Sequence, residues 1–127
     1  VCREEWKDSA DVVLCDVPCS GLGIIRKKPE IRFKNPDEIR TLPEIQAKIL
    51  ANCAQYVKKG GTLVYSTCTI LQRENEDVVR AFLTENPEFE AVSWTHPVCG
   101  ERADGMVTLL PPVHNTDGFF IAKMYRK

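Results

Sequence analysis

Asp16-Val-Pro-Cys19-Ser-Gly21 and Ser66-Thr-Cys68-Thr69 each set a thiol directly after a short apolar run. A cysteine is a strong nucleophile wherever its surroundings favour the thiolate, so both are candidates for covalent chemistry. The preceding run of residues 11–16 is rich in β-branched residues and almost continuously apolar, the pattern of a strand covered on both faces of a parallel sheet, and residues 62–67 read as a second apolar strand. Ligands of such sheets bind outside the carboxyl ends of the strands, so the two sulfur atoms are predicted to open into one cleft. The alternative is that each is a small buried hydrophobe, which is the expectation for Cys2, Cys15, Cys53 and Cys99.

Around these thiols the residue types suit a ligand site. Asp16 ends an apolar strand, a costly position for a carboxylate unless it reaches the cleft or caps the following turn. Pro18 fixes the backbone direction, while Gly21 and Gly23 let a ligand come close to the main chain. Between Arg26 and Arg40 stand six basic residues (Arg26, Lys27, Lys28, Arg32, Lys34, Arg40) against three acidic ones, whereas the whole chain is nearly neutral at −1. Positive charge gathered beside the cleft suits a phosphate backbone, the alternative being an ordinary solvated loop.

The elements that must hold these residues follow from spacing. Pro29 and Asn35-Pro36 mark residues 24–41 as a long loop with at most a short helical turn. From Leu42 to Lys58, Ile45, Ile49, Cys53 and Tyr56 or Val57 recur at helical steps, and Lys58-Lys59-Gly60-Gly61 reads as the helix end. With strands on either side this makes a βαβ unit. A second helix is predicted over 74–85, with Val78, Val79, Phe82 and Leu83 on one face and Asn86-Pro87 as its stop. Residues 89–94 read as a third strand, Val107 to Leu110 as a brief pairing segment and 119–125 as the last strand.

The chain has 127 residues, 43% hydrophobic and 28% charged, which excludes disorder and a fibrous repeat and points to one globular unit. Its apolar runs are far below the roughly 20 residues of a membrane span, and the first residues carry alternating charge where a secretory signal needs an apolar core. The expectation is a cytoplasmic protein with reduced thiols. Zinc is not expected, because neither a CxxC pair nor a Cys/His cluster is present. About four strands and two helices form an α/β sandwich with too few strands for a complete doubly wound domain, so the chain reads as the second half of a larger fold. Strand 11–16 would then present an apolar edge through which the piece could self-associate.

Taken together, Asp16-Val-Pro-Cys-Ser-Gly21 and Ser66-Thr-Cys-Thr69 resemble the paired motifs of the RNA 5-methylcytosine methyltransferases, most closely the Sun/Fmu type. Residues 11–127 can be laid on the carboxyl-terminal half of that catalytic domain, including Gly21-Leu-Gly-Ile-Ile-Arg-Lys-Lys-Pro29, Glu74-Asn-Glu76 and Thr116-Asp-Gly-Phe-Phe120. The resemblance implies a Rossmann-like, S-adenosylmethionine-dependent methyltransferase fold, with a mostly parallel sheet and an antiparallel last strand. It also implies a substrate RNA, small-subunit ribosomal RNA in this type.

It further implies roles. Carbon 5 of cytosine is a weak nucleophile until a thiolate adds to carbon 6, and the resemblance assigns that attack to Cys68 and product release to Cys19. DNA cytosine methyltransferases attack with the Pro-Cys cysteine and lack the second, so the Thr67-Cys68 pair favours RNA. Asp16 is implied beside both methyl donor and base. Pro18 is implied to accept from the exocyclic amine, with Ser20, Gly21, Arg26, Lys27 and Lys28 on the substrate side. The target base must leave its stack, so a flipped or single-stranded cytosine is expected.

The family's glycine-rich cofactor loop should precede Asp11 by several dozen residues, and ten residues are there. The chain alone is therefore expected neither to bind S-adenosylmethionine well nor to turn over. Two rivals are a noncatalytic RNA-binding module of methyltransferase outline and a thiol enzyme of redox or phosphatase type using Cys19. Against the latter, Ser20–Ile25 is largely apolar rather than an anion nest.

Overall fold

A computed structural model describes residues 3–127, so Cys2 lies outside the described residues. The chain runs β1 (Ala10–Asp16), α1 (Pro36–Ala54), β2 (Val57–Thr67), α2 (Glu76–Glu85), β3 (Phe89–Ala91), β4 (Trp94–His96), β5 (Gly100–Arg102), β6 (Met106–Leu109), α3 (Pro111–His114) and β7 (Phe119–Arg126). Five strands form one sheet in the order β1-β2-β7-β3, with β6 also pairing β7. β1 and β2 are parallel, and β7 is antiparallel to β2, β3 and β6. Four strands thus point one way and β7 alone runs against them. The strand predicted over 89–94 is shorter: β3 ends at Ala91, and Trp94 opens β4, which with β5 makes a separate hairpin.

α1 begins at Pro36, six residues before the predicted start. Asn35 caps it by accepting from the Asp37 N–H at 2.9 Å, and Pro36 fills the first turn, where no N–H is needed. The Asn-Pro pair that reads as a turn is a helix start. The other end is also corrected: the helix stops at Ala54, and Lys58–Gly61 belong to β2 rather than to a helix terminus. Ala10 pairs with Val57 but Val12 with Thr62, so five residues of β2 pass two of β1 in a bulge, which Gly60 makes possible with φ of 82°.

The core lies between the sheet and the two long helices. Leu63, Tyr65, Met124, Ala122 and Phe120 alternate along β2 and β7, facing Leu50 and Ala54 of α1 and Val78, Val79 and Phe82 of α2. Fully burying each large side chain among these is worth about 1.5–3 kcal/mol. The opposite face is open. Val12 and Leu14 are 65% and 66% exposed, so β1 is not covered on both faces as its composition predicts. The reason is that both long helices pack on the other side. β1 is also the end strand of its sheet. No helix among the described residues is long and apolar enough to cross a membrane.

Candidate active site

The two cysteine motifs occupy the turns leaving the parallel pair β1 and β2, at the same end of the sheet. The Val17 N–H still bonds the Ser66 carbonyl, after which Pro18 leads the chain away from the ladder. Gly21 takes φ of 73°, turning the loop back, and the Gly23 N–H donates to the Cys68 carbonyl at 2.9 Å. These contacts bring the sulfur atoms of Cys19 and Cys68 to 2.9 Å from each other, with the Cys68 N–H donating to Cys19 Sγ at 3.3 Å. The five described cysteines are free thiols.

Burial, with the neighbouring Cys68 as a lesser cause, pushes the Cys19 thiol up to about 12. Cys19 therefore keeps its proton at neutral pH. A different pair sits beneath β1. Cys15 is raised by its hydrogen bond to Cys53 and by burial, and Cys53 is lowered by the same bond. Cys15 and Cys53 belong to or pack on the core, as expected for small hydrophobes.

Both candidate thiols line a cavity of about 410 Å³, with Gly21, Ile24, Lys28, Glu30, Ile31 and Lys34. Two isoleucines and two ammonium groups around two sulfurs suit a flat, partly apolar ring attached to an anionic chain. Lys34 is anchored there, its Nζ donating to the Ser20 carbonyl at 3.0 Å.

Other predicted site residues fall into distinct places. Gly21 and Lys28 line the cavity. The Pro18 carbonyl already accepts from Gln46 Nε2 at 3.0 Å, leaving one lone pair. Ser20 is fully buried, and its hydroxyl is held by Glu74 and Thr69. Arg26 and Lys27 are exposed but turned to Asp117, at 3.3 Å and 2.6 Å, so their charge is partly met within the protein. Lys27 chiefly, with Arg26, holds the Asp117 carboxyl below the usual range. Asp16 does not line the cavity. It is exposed at the end of β1, on the face free of the long helices, and accepts from Ser66 Oγ at 2.9 Å. Its free acceptor capacity fits a polar group of a ligand lying on that face.

Sequence reasoning passed over Glu74 and Gln46 as site residues, whereas Lys34 belongs to the basic loop it assigned to phosphate. A glutamate at a helix start looks like ordinary dipole complementation, and Gln46 sits among helix-surface polar residues. Only the acidic residue's place in Glu74-Asn-Glu76 could have drawn attention to it.

Residues 2–125 match the model of the 16S rRNA methyltransferase RsmB/F family. The chain belongs to that family. Among curated proteins it is 46% identical over 123 residues to the probable ribosomal RNA small subunit methyltransferase B of Bacillus subtilis (strain 168), covering 92% of this chain and 28% of that protein. Among solved structures it resembles PH0851 with a TM-score of 0.87 and 38% identity, over 94% of this chain and 27% of the other. NSun6 from Pyrococcus horikoshii with SFG matches with a TM-score of 0.75 and 27% identity, over 89% and 29%. The chain thus spans little more than a quarter of the length of these relatives, and its Rossmann-like α/β outline is that of methyltransferases.

Proposed function

We propose that these residues are the thiol-bearing, carboxyl-terminal part of the catalytic domain of an RNA (cytosine-5)-methyltransferase acting in the cytoplasm on small-subunit ribosomal RNA. The single observation that carries the reading is the pair of thiols 2.9 Å apart on the turns after two parallel strands, in a cavity edged by Lys28 and Lys34. Methylation of ribosomal RNA is the activity named for the relatives.

In this reading Cys68 Sγ, as thiolate, forms a bond to carbon 6 of a flipped cytosine, and the ring's electron pair moves to carbon 5. S-adenosylmethionine, when bound, supplies an electrophilic methyl group to carbon 5; NSun6 with SFG, an analogue of it, supports that choice. Asp16 is the residue of this chain that fits the donor and the base edge, and the Pro18 carbonyl has a lone pair left for the exocyclic amine. The carbon 5 proton then passes to solvent water, the C5–H electron pair restores the ring double bond, and the sulfur–carbon 6 bond breaks with its electrons returning to Cys68. In this reading Cys19, still protonated and 2.9 Å from Cys68, donates to the departing sulfur. Lys28 and Lys34 hold the neighbouring phosphates, while Arg26 and Lys27 contribute less because Asp117 shares their charge.

The test uses the full-length protein, S-adenosylmethionine and RNA bearing 5-fluorocytosine, whose ring substituent cannot leave. A covalent protein–RNA adduct that Cys68→Ala abolishes is the expected result. RNA binding without any adduct would overturn the reading in favour of a noncatalytic module.

A further inference from the structure

Both cysteine turns are tied to one side chain. Glu74 is completely buried. One carboxylate oxygen accepts from the Ser20 N–H at 2.9 Å and Gln46 Nε2 at 3.0 Å, the other from Ser20 Oγ at 2.7 Å and Thr69 Oγ1 at 3.0 Å. All four partners are neutral donors. Ser20 is the residue after Cys19, and Thr69 is the residue after Cys68. Gln46 extends the clamp by donating also to the Pro18 carbonyl, so the turn 18–20 is fixed at three backbone or side-chain points. On the other turn, Asn75 Nδ2 donates to the Thr69 carbonyl at 3.0 Å and Asn75 Oδ1 accepts from Thr67 Oγ1 at 2.6 Å. The Glu74 carbonyl itself accepts from the Tyr65 hydroxyl at 2.5 Å, which roots the residue in β2.

We propose that Glu74 is a positioning residue that sets Cys19 against Cys68. Burying a carboxylate is costly unless its lone pairs are met, and here four donors from two separate turns and a helix converge on it. An apolar residue of the same size would leave the buried Ser20 N–H without a partner and would strip Gln46 Nε2 of one of its two acceptors, leaving only the Pro18 carbonyl. Glu74 does not line the cavity, so it acts through the cysteines rather than on the substrate. The role rests on the methyltransferase reading above, because it gives the thiol separation a purpose in adduct formation and release.

The experiment compares Glu74→Ala, Glu74→Gln and Thr69→Val in the full-length protein. It measures turnover on RNA, melting temperature, and the capture of Cys19 and Cys68 together by phenylarsine oxide, a trivalent arsenical that bridges adjacent thiols, with Cys19→Ala as the blank. Glu74→Ala is expected to lower kcat by about 100-fold, since misplacement by an ångström carries that scale of loss, with KM for RNA nearly unchanged. Arsenical capture should weaken about 10-fold. Glu74→Gln should restore most of both, because its oxygen still serves Ser20 N–H and Gln46 while the two hydroxyls turn to accept from its NH2 group. If the alanine variant does not fold, Thr69→Val decides: capture should fall about threefold, and unchanged capture overturns the proposal. Equal losses in the alanine and glutamine variants, or a folded alanine variant with normal kcat and capture, also overturn it. Should wild-type protein form no adduct with 5-fluorocytosine RNA, the proposed function fails, and arsenical capture still reports on Glu74.

Discussion

The main chains of Gly23 and Gly118 touch: the Gly118 N–H donates to the Gly23 carbonyl at 2.6 Å, locking the loop after β1 to the entrance of β7. A β-carbon at Gly23 would stand 2.0 Å from the Gly118 oxygen and 2.8 Å from that of Cys68. Gly23→Ala must therefore push backbone apart and is expected to cost about 1–3 kcal/mol. Denaturant unfolding of the full-length protein checks this, and wild-type stability would contradict it.

The proposed division of labour between the thiols has a direct readout. Cys19→Ala should accumulate a covalent complex with unmodified RNA in the presence of methyl donor, because attack proceeds and release stalls. Cys68→Ala should accumulate none. Denaturing gels that show the same behaviour for both variants would remove the assignment.

Alkylation reads the Cys19 proton. With its thiol raised to about 12, the ionised fraction at pH 8 is very small and climbs with pH. Labelling of Cys19 by iodoacetamide should still be rising at pH 10, tracked by peptide mass spectrometry. A rate that levels off by pH 9 would show an ordinary thiol.

Asp117 makes the loop fastening acid-sensitive. Its folded carboxyl lies below the ordinary value of about 3.9 because of Lys27 and Arg26, so the folded state binds fewer protons than the unfolded one as pH falls toward that range. The stabilisation is fully present above the unfolded value and is lost as pH drops through the folded one. Wild type should accordingly lose more melting temperature between pH 5 and pH 3 than Asp117→Asn. Parallel curves would count against the pairing.

Much of this arrangement was legible in the sequence, because strands and amphipathic helices announce themselves by local period. β1, β2 and β7 and the ends at which Cys19 and Cys68 stand follow from apolar runs broken by Pro18 or Ser66-Thr67. What escaped depends on partners distant in sequence. Asn35-Pro36 has the composition of a turn until Asp37 N–H finds the asparagine oxygen. Lys58–Gly61 has the composition of a helix end until Thr62 finds Val12 across a bulge. The resemblance puts Ser20 on the substrate side, and nothing near it in the chain reveals its bond to a carboxylate 54 residues away. Asp117, similarly, claims two of the basic residues that composition alone assigned to phosphate.

The open sheet face predicts how the isolated chain behaves. Val12 and Leu14 present apolar surface along an end strand, which favours pairing between copies. The 127-residue chain alone is expected to self-associate in sedimentation experiments, and Leu14→Lys should shift it toward monomer. A monomeric wild-type chain at high concentration would refute this.

β7 occupies the middle of the sheet although it is the last strand in sequence, and β3 and β6 pair with no other strand of that sheet among the described residues. Order of synthesis and order of assembly therefore oppose each other. On a translating ribosome β3 and β6 must wait, unzipped, until residues 119–126 emerge and slot between them and β2, so the sheet around the Cys19 and Cys68 turns is completed only when this segment has left the exit tunnel.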